Sequence, residues 1–382
     1  MRKIKRCRIC GGGLYGKPLL IFENMPSKAQ FLPTKNLLEY DKGIVLKINQ
    51  CQFCGVVQLE NQPVKYYKSV IRASGISEEM KQFRKQQFKN FVQRFSLSGK
   101  KIIETGCGAG EFLSIMSETG VKVFGIEYQK ELVEKCIENG FKVIKGFIGK
   151  SNCKLKYSPF DGFYTLSFLE HLPDPNSTLK GIYNNLTDDA VGIVEVPNFD
   201  MMMKKKLFSE FMVDHLFYFT KDTLRTTLNI NGFEVLECKE IWYDYIISAI
   251  VRKRKKLDLT SMYKQEKKIK KELWTYINKF KGKKVALWGA GHQAFAILAL
   301  TDLSSKIKYV IDSAPFKQNR YTPVTYIPIV SPETINSNPV DAIIIVAGSY
   351  SDEVSKIIQE KFSKDINVAI LRDFGLEEVK RL

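Results

Sequence analysis

Two stretches of the chain share a pattern in which a short apolar run ends in closely spaced glycines and continues into a helix-length segment. The first is IIETGCGAGEFL, starting at Ile102, and the second is KKVALWGAGHQAFAILAL, starting at Lys283. Glycine permits a tight turn after a buried strand and a close approach of the backbone to a ligand. Each stretch therefore predicts a strand, a glycine-rich turn and a helix, the unit from which parallel α/β sheets are built.

Strand-like runs alternate with helix-length segments around both turns. At 382 residues the chain is long enough for two or three domains. The alternation runs from Lys100 to near residue 245 and resumes at residue 283, so we expect two Rossmann-like α/β domains. Residues 248–282 are charged and helical in pattern and are predicted to be a helical linker, and a further helix is expected over residues 76–95.

Four of the eight cysteines form two CxxC pairs near the start of the sequence, Cys7 with Cys10 and Cys51 with Cys54. No export signal precedes them, so a reducing compartment is expected, where such pairs bind metal rather than form disulfides. Four thiolates fill a tetrahedral zinc site and leave no position for water, so the zinc ion is predicted to be structural. Residues 1–75 are accordingly predicted to form a zinc-binding module.

The composition narrows the location and the partners. No apolar run approaches the ~20 residues needed to cross a bilayer, and the start MRKIKRCRIC lacks the apolar segment of a signal peptide. We therefore expect a cytoplasmic protein without membrane insertion. The net charge of +18 would attract anions, but much of it lies in residues 252–256 and 267–271. The net charge is thus weak evidence about binding partners, and no nucleic-acid partner is predicted.

An acidic residue follows the first glycine turn at a distance typical of nucleoside binding. In VFGIEY, Glu127 ends the next strand about 20 residues further on, where a carboxylate can accept hydrogen bonds from both ribose hydroxyls. A nicotinamide dinucleotide site is one interpretation. Against it, the first turn follows an acidic strand end, Glu104 and Thr105, and FDGFYTLSFLEHLPDP has no dehydrogenase counterpart.

Taken together, the segments from Glu104 to Glu111, at Glu127 and from Asp161 to Pro175 resemble the class I S-adenosylmethionine-dependent methyltransferases. In that family the glycine turn approaches the methionine portion of the cofactor and the acidic residue holds the ribose. The segment after the fourth strand lines the methyl-transfer pocket, and there His171 is expected to shape the pocket rather than perform chemistry. The resemblance implies these cofactor-binding residues: Glu104, Gly106, Gly108, Gly110, Glu127, Phe168 and His171.

The order of parts resembles, over nearly the whole chain, the three-domain C-methyltransferases that act on nucleotide-linked 4-keto-6-deoxy sugars. The implied fold class is α/β, with a Rossmann-like class I methyltransferase domain over residues 76–247. An N-terminal zinc-binding module precedes this domain, and a C-terminal Rossmann-like α/β domain over residues 283–382 holds the substrate. In the latter, DSAPFKQNRYTPVTYIPI contains the expected contacts to a nucleotide diphosphate, Lys317, Arg320 and Tyr321, with a purely structural loop as the alternative.

The stretch FMVDHLFYFT contains His215, one of only three histidines in the chain. The family has a Glu-His pair here, preceded by a tyrosine; this chain has Asp214 and His215 with no tyrosine just upstream. A carbon beside a ketone becomes nucleophilic after losing a proton, and histidine is suited to accept it. We predict that His215 is the base, that Asp214 orients or charge-stabilises it, and that Tyr66 or Tyr67 donates to the enolate oxygen. A His215 buried as core filler is the alternative.

Two other functions fit parts of the sequence. Some RNA base methyltransferases also join a zinc module to this fold, and a charge of +18 suits a phosphate backbone. A non-catalytic binding or scaffold protein is conceivable because the tyrosine before His215 is absent, although the first glycine turn and Glu127 are intact.

Overall fold

The chain divides into two units, Met1–Lys255 and Lys256–Leu382. The structure, a computed structural model, describes residues 4–28, 32–69, 76–280, 282, 284–362 and 365–380. Within this described part, no helix combines the length and apolar character that a membrane span requires. Both units contain a mixed sheet with helices around it, as the two glycine turns predict.

The first unit contains eleven strands and six α-helices in the part of the chain that the structure describes. In chain order they are β1 (Leu20–Met25), β2 (Ile44–Gln50), β3 (Val57–Leu59), α1 (Glu78–Arg94), β4 (Lys101–Thr105), α2 (Glu111–Ser117), β5 (Lys122–Glu127), α3 (Lys130–Glu138), β6 (Lys142–Lys145), β7 (Phe160–Leu166), α4 (Pro175–Tyr183), β8 (Leu186–Pro197), α5 (Phe199–Lys205), β9 (Phe217–Tyr218), α6 (Lys221–Ile230), β10 (Phe233–Ile241) and β11 (Ile246–Lys253).

A seven-stranded sheet in the order β10-β11-β8-β7-β4-β5-β6 forms the centre of the first unit. Its strands from β8 to β6 are parallel, while β11 is antiparallel to both of its neighbours, β8 and β10. Both faces are covered, because Ile102 and Ile103 point to opposite sides of β4 and both are buried, in different apolar clusters. The strand order reverses at β4, which lies between β5 and β7, so the first glycine turn occupies the edge where α/β sheets bind ligands.

A second, four-stranded antiparallel sheet joins the cysteine-containing segment to this unit. Its order is β1-β2-β3-β9, and β9 pairs with β3 through Val57 opposite Tyr218 and Gln58 opposite Phe217. Residues from the cysteine segment, including Ile9 and Val56, are buried in the same cluster as Phe217. The segment predicted as a zinc-binding module is therefore packed into the first unit, and its sheet ends on the strand that follows His215.

The predicted boundary at residue 247 and the predicted linker differ from the structure. Strand β11 pairs with β8 as far as Arg252, so the seven-stranded sheet of the first unit continues past residue 247. In the second unit, the helix Thr260–Asn278 buries Leu273, Tyr276 and Ile277 in the core of that unit. Its apolar residues recur every three or four positions and form one buried face, so this helix belongs to a packed unit rather than to a linker.

The second unit has its own seven-stranded sheet, in the order β14-β15-β13-β12-β16-β17-β18. Strands β15 to β17 are parallel, and the two edge strands are antiparallel to their neighbours. The elements are α7 (Thr260–Asn278), β12 (Val285–Trp288), α8 (His292–Leu300), β13 (Ile307–Ile311), β14 (Arg320–Tyr321), β15 (Pro328–Val330), α9 (Thr334–Ser337), β16 (Ala342–Ile345), α10 (Ser351–Lys361), β17 (Asn367–Leu371) and β18 (Leu376–Glu378).

Candidate active site

The first glycine turn connects β4 to α2 with the backbone conformation that the sequence predicts. Gly106 has φ +73°, and a Cβ at this position would lie 3.1 Å from the ring of Phe168. A side chain at position 106 would therefore be strained and would press on Phe168. Gly106 and Phe168 both border a cavity in the first unit. Glycine at this position allows the main chain to approach a ligand bound in the cavity.

Glu127 at the end of β5 is held by main-chain amides. One carboxylate oxygen accepts from the amide of Gly108 at 3.0 Å, and the other accepts from the amides of Tyr128 and Gln129 at 2.8 and 2.9 Å. The side chain is 7% exposed and borders the cavity. These three bonds fix the carboxylate beside the glycine turn, where the sequence predicts a ribose-binding acid.

A cavity of about 940 Å³ in the first unit brings most of the predicted site residues together. It is bordered by residues of the glycine turn, the end of β5, the segment after β7 and the segment before β9. The predicted residues among them are Tyr67, Gly106, Gly108, Glu127, Phe168, His171, Asp214 and His215. Residues more than 100 positions apart in the sequence thus face one space.

Two predicted cofactor residues and one predicted tyrosine are not among the described residues that border this cavity. Glu104 is buried, and its carboxylate accepts a hydrogen bond from the Tyr164 hydroxyl at 3.0 Å. Gly110 begins α2, and a Cβ there would meet Cys136 at 3.0 Å. Tyr66 donates its hydroxyl to the carboxylate of Asp214 at 2.7 Å, whereas Tyr67 borders the cavity.

His215 lies against His171 rather than against the carboxylate of its neighbour. The two rings meet edge to face with centroids 4.8 Å apart, and Nδ1 of His171 is 2.9 Å from the main-chain oxygen of Asp214. Within the described part of the chain, the Asp214 carboxylate makes no hydrogen bond to the His215 ring. The predicted orienting contact is therefore not formed, because this carboxylate is turned toward Tyr66.

Burial controls the protonation of this group of residues. It lowers the pKa of His215 to about 3, with a smaller contribution from His171, so the ring is neutral at physiological pH. Burial lowers the pKa of His171 as well, although the main-chain oxygen of Asp214, which accepts a hydrogen bond from Nδ1 of this ring, acts to raise it. Glu170, which is 1% exposed, has its pKa raised by burial to about 8. A carboxylic acid and two neutral imidazoles therefore border one side of the cavity.

The four paired cysteines lie together at the start of the first unit. Sγ of Cys7 is 3.5 Å from Sγ of Cys54, and Sγ of Cys10 is 3.4 Å from Sγ of Cys51. All four sulfur atoms lie within 4.8 Å of one another. Backbone amides of Ile9, Gly12 and Phe53 point at three of the sulfurs. The distances are close to those of four sulfurs at ~2.3 Å from one ion, so the cluster fits a tetrahedral zinc site.

In the second unit, the predicted substrate residues lie beside Asp312, which follows β13. The Lys317 ammonium is 2.9 Å from the Asp312 carboxylate, which also accepts from the amides of Ala290 and Ala314. Arg320 and Tyr321 form the short edge strand β14 and are exposed. Lys317 is thus paired within its own unit, while Arg320 is open to solvent.

Several residues that border the cavity were missed by the sequence analysis. Arg84 on α1 is paired with the buried Glu195 at 2.6 Å, and Lys68 lies over the rings of Tyr67, Tyr128 and Phe147. Trp242 and Tyr245 reach the cavity from the turn between β10 and β11. No motif marks these side chains, because they reach the site through tertiary packing rather than through a local pattern.

Family comparisons agree with the two-unit fold. A methyltransferase domain model matches residues 80–238, and a C-methyltransferase C-terminal domain model matches residues 252–370. The chain therefore carries a methyltransferase domain followed by a C-methyltransferase C-terminal domain, and it is an S-adenosylmethionine-dependent methyltransferase.

Individual proteins are similar to all or part of the chain. It is 22% identical over 390 residues to C-methyltransferase NovU of Streptomyces niveus, covering 93% of this chain and 92% of that one. It is 30% identical over 96 residues to the ubiquinone biosynthesis O-methyltransferase of Pseudomonas entomophila, covering 24% of this chain and 41% of that one. Among solved structures, the PH0226 protein of Pyrococcus horikoshii aligns with a TM-score of 0.41 at 14% identity, covering 50% of this chain and all of that one.

Proposed function

We propose that the enzyme methylates a carbon of a nucleotide-linked 4-keto-deoxy sugar through an enolate, with His215 as the base. The observation that carries this proposal is the shared cavity, in which the glycine turn and Glu127 face the same space as His215. Similarity to C-methyltransferase NovU over nearly the full length of both chains supports transfer to carbon.

The residues of the turn suit S-adenosylmethionine, which when bound supplies an electrophilic methyl group on a sulfonium ion. Gly106 and Gly108 let the main chain pass close to the ligand, and Glu127 is fixed to accept hydrogen bonds from ribose hydroxyls. Phe168 packs near Gly106 and borders the remaining space.

In this proposal His215 takes the proton from the sugar carbon. Its ring is half-buried at the cavity and is neutral at physiological pH, so it has a free lone pair. In this proposal Tyr66 and Asp214 hold the segment before β9 in place through their 2.7 Å hydrogen bond. Tyr67, which borders the cavity, is then the candidate donor to the enolate oxygen.

We also propose a structural zinc ion at Cys7, Cys10, Cys51 and Cys54, held in the reducing cytoplasm. Its role would be to fix the sheet that ends on β9, next to His215. Metal analysis of the purified enzyme should find one zinc per chain, and Cys51→Ser should lose it. Zinc retained in that variant would contradict the site.

The second unit is proposed to hold the nucleotide through Lys317, Arg320 and Tyr321. An exposed arginine suits a diphosphate because its guanidinium can form two parallel hydrogen bonds to one phosphate. Because Lys317 already pairs with Asp312, Arg320 is the stronger candidate of the two cations.

The test is incubation of the purified enzyme with methyl-labelled S-adenosylmethionine and a panel of 4-keto nucleotide sugars. Label is expected on a sugar carbon, together with solvent hydrogen exchange at that carbon before methylation. Cofactor binding without label in any sugar would refute the substrate class. Label in RNA added in a parallel reaction would favour an RNA base methyltransferase instead.

A further inference from the structure

Glu170 is a buried carboxyl group without a hydrogen-bond partner. It sits in the 3-10 helix Leu169–His171 after β7, is 1% exposed, and neither side-chain oxygen makes a hydrogen bond in the described structure. An unsatisfied buried polar group destabilises the fold, and a charged one does so more strongly. A glutamate buried in this position without a hydrogen-bond partner among the described residues therefore points to a use in the reaction.

The groups that face Glu170 offer it no positive charge. His171 on the same helix has Nε2 3.9 Å from Oε1 of Glu170, and a ring nitrogen of His215 lies within 4.8 Å of the carboxylate. Both rings are neutral at physiological pH because burial lowers their pKa values. Of the neighbouring polar groups, the Tyr245 hydroxyl donates to Glu210, and the Asp214 carboxylate accepts from the Tyr66 hydroxyl.

The two basic residues among those described at the cavity wall have other contacts. Arg84 pairs with Glu195 at 2.6 Å, and Lys68 lies over three aromatic rings. An ionised Glu170 would therefore face an empty cavity with no counter-ion. The methyl donor proposed for this cavity would bring a positive charge on its sulfonium group, which an ionised Glu170 could face.

We propose that Glu170 ionises when the sulfonium cofactor enters the cavity and that it receives, by way of His215, the proton that methyl transfer releases. The first part depends only on the cofactor, and the second part rests on the proposed function. When methyl transfer removes the positive charge from the sulfonium, the Glu170 carboxylate gains a proton and loses its negative charge.

The step balances in atoms and in charge. The substrate C–H bond breaks, its electron pair passes through the enolate into the new C–CH3 bond, and the S–CH3 electron pair stays on sulfur. The proton moves to His215 and ends on the carboxylate of Glu170. A sulfonium cation and a carboxylate become a neutral thioether and a carboxylic acid, so the buried site is neutral before and after.

The protonation of the neighbouring groups supports this direction of transfer. Burial raises the pKa of Glu170 to about 8 and lowers the pKa of His215 to about 3, so His215 cannot retain the proton that it abstracts. The imidazole suits a transient carrier, and the carboxylate suits the final acceptor. Leaving sulfur neutral removes the charge that kept Glu170 ionised, which favours its protonation.

Proton release on ligand binding tests the proposal without any turnover. Calorimetric titrations in two buffers of different ionisation enthalpy at pH 7 give the protons released when S-adenosylmethionine or the neutral product S-adenosylhomocysteine binds. Wild type is expected to release up to about one proton more than Glu170→Gln with the sulfonium ligand, and no more than it with the neutral ligand. Using the difference between proteins removes the contribution of the ligand amino group, which is common to both.

Affinity gives a second readout. Because ligand and proton binding are reciprocal, a fall of one to two units in the pKa of Glu170 equals a gain of roughly tenfold in affinity for the sulfonium ligand. Glu170→Gln should therefore weaken S-adenosylmethionine binding by about that factor while keeping S-adenosylhomocysteine affinity. Retained product affinity also shows that the variant is folded. Glu134→Gln, a change at an exposed carboxylate on α3, should behave as wild type.

Three results would overturn the proposal. Equal proton release for the two ligands in wild type would show that Glu170 does not respond to the sulfonium charge. Equal release by wild type and Glu170→Gln would assign the proton to another group. A second bound metal ion per chain, removed by Glu170→Gln, would make the counter-charge a metal. None of these measurements uses a sugar, so they are independent of the proposed substrate.

Discussion

The two glycine-rich turns look alike in the sequence but differ in what their neighbouring carboxylate does. In the first unit, Glu127 accepts hydrogen bonds from three main-chain amides and, among the described residues, from no side chain, and it borders a cavity of about 940 Å³. In the second unit, Asp312 accepts from the amides of Ala290 and Ala314 but is also paired with Lys317 at 2.9 Å. The same strand, turn and acid thus give one carboxylate available to a ligand and one neutralised by its own chain.

This difference separates two turns of the same architecture by what their carboxylates can offer a ligand. A carboxylate fixed by amides keeps its charge and its free lone pairs for a ligand, so it is preorganised for hydroxyl groups. A carboxylate bridged by a lysine instead ties the loop after β13 to the glycine turn and stabilises the unit. A glycine turn followed by an acidic residue is therefore insufficient evidence for a cofactor site. The group that the acidic side chain contacts determines whether the carboxylate is available to a ligand.

The largest expected effect separates the histidines that accompany the two turns. His215→Asn should lower methylation by about 10²- to 10⁴-fold, because a positioned base is lost, while S-adenosylhomocysteine affinity stays unchanged. His292→Asn is the matched change at the start of α8, where the side chain is exposed, and should retain turnover. The measurements are initial rates and hydrogen exchange at the sugar carbon. Unchanged exchange in His215→Asn would remove this residue from the chemistry.

A smaller effect should distinguish the two carboxylates directly. Glu127→Gln should weaken S-adenosylhomocysteine binding about 10- to 100-fold, since hydrogen bonds to a charged group contribute roughly 1.5–3 kcal/mol. Asp312→Asn should leave that affinity unchanged and lower the thermal stability of the second unit, because Lys317 loses its partner. Calorimetry and thermal unfolding report the two outcomes. A large loss of cofactor affinity in Asp312→Asn would place a cofactor at the second turn.

The sequence predicts the parts of this contrast that depend on local patterns, but not the parts that depend on side-chain contacts. The glycines, Glu127 and the cysteine pairs are local patterns, and the structure brings each set together. The pairing of Lys317 with Asp312 and the unpartnered state of Glu170 depend on side-chain direction, which no spacing encodes. Likewise α7 reads as a charged linker, because only three of its residues are buried and its packing face becomes visible only in the fold.

A difference in pH dependence should also separate the units. In the first, the raised pKa of Glu170 means that the folded state binds more protons between about 4.5 and about 8, so stability falls as pH rises through this range. In the second, burial acts to raise the pKa of Asp312, but Lys317 and the two amides hold it below its ordinary value. Its contribution is complete above that value and is lost only in acid.

Hydrogen exchange at pH 6 and at pH 8 should therefore show weaker protection of β4 and β5 at the higher pH and little change in β12 and β16. Each unit of difference between folded and unfolded pKa is worth about 1.4 kcal/mol, so the shift should be at most a few kcal/mol. Glu170→Gln should remove the dependence, because an amide does not titrate. Equal pH dependence in that variant would mean that another group is responsible.

The smallest expected effect concerns the exposed edge of the second unit. If β14 contacts a nucleotide diphosphate, Arg320→Ala should weaken binding of the nucleoside diphosphate about two- to fivefold, since exposed charge pairs contribute ~0.2–1 kcal/mol. Lys356→Ala, an equivalent loss of charge on α10, should have no effect. Lys317→Ala should instead act mainly on stability, because that lysine pairs with Asp312. A nucleotide affinity that responds to Lys317 and Lys356 as strongly as to Arg320 would indicate attraction to the overall charge of the unit, and the second glycine turn would then lack a defined ligand.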